Sequence, residues 1–80
     1  MNLGLNKEVF AARLRGKRAE KGISQAELAV KVGSCSDAIS KYESGGYTPG
    51  SDKVYLLAEV LGCTPNYLMG WDEQHAATAR

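Results

Sequence analysis

Few side chains in this sequence could carry out covalent chemistry. The single histidine, His75, stands in a C-terminal stretch without an apolar face, where an imidazole is ordinarily just solvated. No nucleophile has a base beside it, no pair of carboxylates is set for acid–base work, and no P-loop occurs. Cys35 and Cys63 are too few and too far apart for a zinc knuckle or a disulfide framework, which points to a reducing, cytosolic compartment. The expectation is therefore no catalytic residue, no metal and no cofactor. What remains is a group suited to contact rather than reaction. Ser36, Asp37, Ser40 and Lys41 are small polar groups and one cation, on the solvent side of a predicted helix.

The stretch that must position them runs from Ser24 to Glu43 and reads as two short helices joined at Gly33. Ser24 can accept from the open N–H groups of the first turn while Glu27 reaches back to the Ser24 amide, with Ile23 and Leu28 as a hydrophobic staple. Leu28, Ala29 and Val32 then share one face. Gly33 can take the positive φ that ends a helix. Beyond it, Ala38, Ile39 and Tyr42 form a second apolar stripe. Ser34 and Asp37 have the spacing of a capping box, which would start the second helix one residue early and leaves its start open. Cys35 reads either as a small, partly buried apolar residue or as a weak polar contact.

The joint pattern is more specific than two amphipathic helices. Gln25 follows the cap, small Ala29 stands where two helices would cross closely, Gly33 makes the turn, Ile39 comes six residues on, and an aromatic precedes Glu43. The segment SQAELAVKVG closely resembles the helix-turn-helix of the Cro/CI repressor-like family, and the resemblance extends from about Phe10 to Gly70. It implies an all-α, compact five-helix domain with the helix-turn-helix as its second and third helices. It also implies a sequence-specific regulator of transcription, commonly a repressor, that reads the major groove of double-stranded DNA with the helix at about 35–43. On this resemblance the DNA-binding candidates are Gln25, Ser34, Cys35, Ser36, Asp37, Ser40, Lys41, Gly46, Tyr47 and Thr48. Lysine suits guanine O6 and N7, and aspartate can accept from cytosine N4. Asp37 can equally be a structural anion in the first turn of its helix. The loop SGGYTPG would present backbone N–H groups and hydroxyls to a phosphate, and it lacks the lysines that relatives often carry there. Arg18 and Glu43 match positions that pair in such repressors, although Arg18 by itself could simply snorkel outward from the apolar stripe of the first helix.

Eighty residues allow one domain, and so short a chain buries only roughly 60% of its unfolded surface. Residues 1–5 read as an arm, 6–71 as the domain and 72–80 as a tail or the start of a linker. Asn6 can cap the first helix, with Leu5 and Phe10 as its staple. A fourth helix spans Ser51 to Leu61, and Thr64-Pro65 opens a fifth. No run of about 18 apolar residues spans a membrane, and no secretion signal opens the chain. The net charge of +1 does not by itself point to nucleic acid. Short fifth helices of this kind dimerise many family members, so Leu56, Tyr67, Met69 and Trp71 are candidates for a homodimer interface on an approximately palindromic operator. No small molecule is evident. A bacterial or phage-encoded protein acting in the cytoplasm is expected. The competing reading, favoured by the low charge and by Asp37, is a helix-turn-helix scaffold that binds protein and has lost DNA.

Overall fold

The computed structural model describes residues 7–70. Among these are five α-helices and no strand: α1 Lys7–Lys21, α2 Gln25–Lys31, α3 Ser36–Ser44, α4 Ser51–Leu61 and α5 Pro65–Met69. The class and the helix order are those the sequence led us to expect. The arm, Asn6 with Leu5, Trp71, His75 and the tail lie outside the described residues.

Each helix buries the stripe that its spacing predicts. Phe10 and Leu14 of α1, Leu28 of α2, Ile39 of α3, Leu57 and Leu61 of α4 and Leu68 of α5 are fully enclosed, with Ala29 and Ala58 filling the close crossings. Each large aliphatic side chain so buried contributes roughly 1.5–3 kcal/mol. α1 lies against α3, α4 and α5, and α2 lies against α3 and α4. The long first helix is thus the support on which the α2–α3 pair rests.

Helix ends fix the angles between these elements. Ser24 Oγ accepts from Glu27 N at 3.0 Å and Ser24 N donates to Glu27 Oε1 at 2.8 Å, so the capping box of α2 is complete. At the other end of α2, Gly33 takes φ 68°, Gly33 N donates to Val30 O, and Ser34 N donates to Ala29 O at 2.8 Å. This is a Schellman closure, and it corrects the capping box expected between Ser34 and Asp37. Ser34 is already committed to ending α2, so α3 begins later, with Cys35 as its N-cap and no side-chain hydrogen bond to the cap. Lys53 of α4 donates from Nζ to Val32 O at 2.9 Å and satisfies a carbonyl at the same turn. Thr64 caps α5 through Tyr67 N, with Pro65 in the first turn.

The α1–α5 contact is partly polar. Arg13 Nη1 donates to Tyr67 O at 2.6 Å, and its guanidinium lies 4.3 Å from the centre of the Tyr67 ring. Lys17 Nζ stands 5.2 Å from the same ring. Cations over an aromatic face are attracted by its quadrupole, so Tyr67 is engaged by α1 of the same chain and is half-buried there.

Candidate nucleic-acid interface

The turn at Gly33 holds α3 with Ile39, Tyr42 and Glu43 inward and Ser36, Asp37, Ser40, Lys41 and Ser44 outward. The structure therefore gathers four of the expected contact residues on one open face. Cys35 is exposed at the head of that face and Ser34 is half-buried beside it. Asp37 lies in the first turn of α3 and Lys41 in its last, each at the helix end whose dipole suits its charge.

Beneath this face is a buried carboxylate with several donors. Arg18 Nε donates to Glu43 Oε2 at 2.6 Å, and Arg18 Nη2 donates to Glu43 Oε1 at 3.1 Å. The third guanidinium nitrogen, Nη1, donates to Ile23 O at 2.9 Å. The hydrogen bond that Arg18 donates to Glu43 pushes the guanidinium pKa above its ordinary value, while burial opposes the shift. Gln25 adds an unexpected member: its Nε2 donates to Glu43 Oε1 at 3.1 Å. Gln25 is therefore tied to α3 instead of standing free at the head of α2. Arg15 also escaped the sequence reading, and it donates from Nη1 to the Glu43 carbonyl near the end of α3. Its place one helical turn before Arg18 was the available signal.

The loop after α3 places Gly46 and Tyr47 in the open and Thr48 half-buried. The Tyr47 ring lies parallel to that of Tyr42, with centroids 5.7 Å apart and 3° between planes, and Phe10 meets Tyr42 edge-on at 6.3 Å. The loop is thereby pinned to α3 by its own side chain.

Of the residues expected at a dimer interface, Leu56, Tyr67 and Met69 do not line one groove. Met69 lines a groove of about 270 Å³ between α4 and α5, with Val54, Tyr55 and Pro65. Leu56 is exposed one position along and misses that groove. It stands one turn before Val60, which faces Lys21 and Ile23 instead. Adjacent helical residues diverge by about 100°, so Tyr55 and Leu56 look to different neighbours. Trp71 lies outside the described residues. Among the described residues no group of three or more His, Cys, Asp or Glu could hold a metal ion, and no helix is long and apolar enough to cross a membrane.

A family model described as helix-turn-helix matches residues 14–68. Repressor protein C2 of Salmonella phage P22 is 32% identical over 68 residues, covering 85% of this chain and 32% of its own length. The 26 kDa repressor protein of Escherichia phage HK022 is 37% identical over 76 residues, covering 90% of this chain and 32% of its own. The chain thus spans about a third of the length of these two relatives. The crystal structure of the P22 c2 repressor in complex with a synthetic operator is similar with a TM-score of 0.76 at 33% identity, covering 79% of this chain and 96% of that one.

Proposed function

The chain belongs to the helix-turn-helix family that includes these phage repressors, and on that footing we propose that it is a sequence-specific double-stranded DNA-binding regulator of transcription, acting as a repressor in the cytoplasm. α3 enters the major groove with Ser36, Asp37, Ser40 and Lys41 toward base edges. The N-terminus of α2 and the 46–48 loop hold flanking phosphates and set the register. Gln25 serves the same end: one Nε2 hydrogen is taken by Glu43, and the second, without a partner among the described residues, is offered to a phosphate oxygen. The protein works as a homodimer on an approximately palindromic operator. The observation that carries this reading is the exposed polar face of α3, held by a complete capping box on α2 and a buried ion pair beneath.

Selection of bound sequences from a random duplex pool tests it, giving the site and its symmetry together. Lys41→Ala should then weaken the selected site by roughly 1–3 kcal/mol while changing random duplex much less. Equal loss on both would make Lys41 a phosphate contact. No binding to any duplex at low salt would favour the scaffold reading instead.

A further inference from the structure

Tyr42 is a core residue, 5% exposed, wedged between the edge contact of Phe10 and the parallel ring of Tyr47. Its hydroxyl does not belong to that packing. It has no hydrogen-bond partner among the described residues, while no fully buried side-chain nitrogen or oxygen is left without one. The hydroxyl therefore emerges at the rim where the ring meets solvent. Its ionisable neighbours are the Tyr47 phenol in the loop after α3 and the Cys35 thiol at the head of α3. Burial above all, with smaller contributions from those two groups, pushes the Tyr42 phenol pKa up, so at neutral pH it is an O–H donor.

The ring stacked on Tyr42 carries a second phenol. Tyr47 is 56% exposed, yet its ring is fixed by stacking on Tyr42. The loop that carries it, Ser44 to Gly50, contains no lysine or arginine. A loop in that position that is to hold a DNA backbone must use neutral donors, and tyrosine hydroxyls are regular phosphate ligands. A ring locked in the core cannot follow base edges into a groove, but it can hold a donor still at the groove's edge, with little ordering cost on binding.

We propose that the Tyr42 and Tyr47 hydroxyls form a stacked donor pair that binds one DNA backbone phosphate beside α3. Tyr42 is thus a binding residue as well as a core residue. The inference rests on the DNA-binding reading above.

The test is Tyr42→Phe, which keeps the ring and removes only the hydroxyl, with Tyr47→Phe beside it. Affinity is measured on the selected duplex and on random duplex, and thermal unfolding is followed in parallel. Each variant should lose about tenfold on both duplexes, with its melting temperature unchanged. Replacing phosphates one at a time by methylphosphonates should abolish both penalties at the same single position of each half-site. Variants that bind like the wild type overturn the proposal, as does a loss confined to the selected duplex. If Tyr42→Phe alters folding, Tyr47→Phe at the exposed position decides by the same criteria. A wild-type protein that binds no duplex overturns the underlying DNA reading as well, and so separates the two failures.

Discussion

Glu43 is the residue on which the contact face depends. Its side chain is 4% exposed, and its two oxygens accept from Arg18 on α1 and Gln25 on α2. Removing one partner of such a pair strands the other charge, at a cost of roughly 3–5 kcal/mol. A double-mutant cycle with Arg18→Ala and Glu43→Ala on unfolding free energy should show coupling of about 1 kcal/mol or more. Strict additivity would mean that the geometry carries no energy. The resemblance to repressors pointed to Arg18 and Glu43, because both residue types stand at matching positions. Periodicity alone left Arg18 as a snorkelling side chain. The commitment of Gln25 to Glu43 was not legible at all, since spacing says which face a residue occupies but not which of two acceptors its amide meets.

At the scale of helices the sequence was most informative, because apolar spacing marks α1, α2, α4 and α5 and the expected caps Ser24 and Thr64 open α2 and α5. The boundary left open, the head of α3, has a local reason. Ser34 could end one helix or start the next, and its N–H bond to Ala29 O settles the matter. Gly16 in α1 is the weak point in this scaffold. It is exposed in mid-helix, its φ is not positive, and an added Cβ would meet nothing within 4 Å. Glycine there gives the unfolded chain freedom that the helix must remove. Gly16→Ala should therefore stabilise the protein by about 0.5–1 kcal/mol, read as a rise in melting temperature with DNA affinity unchanged. A fall in melting temperature would show that α1 needs the glycine for an approach not seen in the described residues.

For the whole molecule, the net charge of +1 leaves one protomer with a weak electrostatic hold on DNA. Two joined copies double the contacts. For the homodimer proposed above the sequence offered Leu56, Tyr67, Met69 and Trp71 as apolar candidates, but which of them line a groove depends on how α4 and α5 meet. The groove with Tyr55 and Met69 is the apolar feature there, while Tyr67 is taken up by Arg13 and Lys17. Sedimentation with a selected duplex should find two protomers per duplex, with half-sites centred about 34 Å apart. Tyr55→Glu should reduce this to one protomer at matched concentration without unfolding the monomer. One wild-type protomer per duplex at saturation would rule the dimer out.

Gly70 ends α5 with φ 78°, and a Cβ placed there would stand 2.8 Å from Val9 Cγ1. Only a residue without a side chain lets the chain leave so near the place where α1 begins. The two ends of the 7–70 unit consequently lie close together, like the pins of a plug. Such a unit can be spliced into a surface loop of an unrelated host with almost no gap to bridge. The host would then carry a reading head whose orientation is set at a single point of attachment.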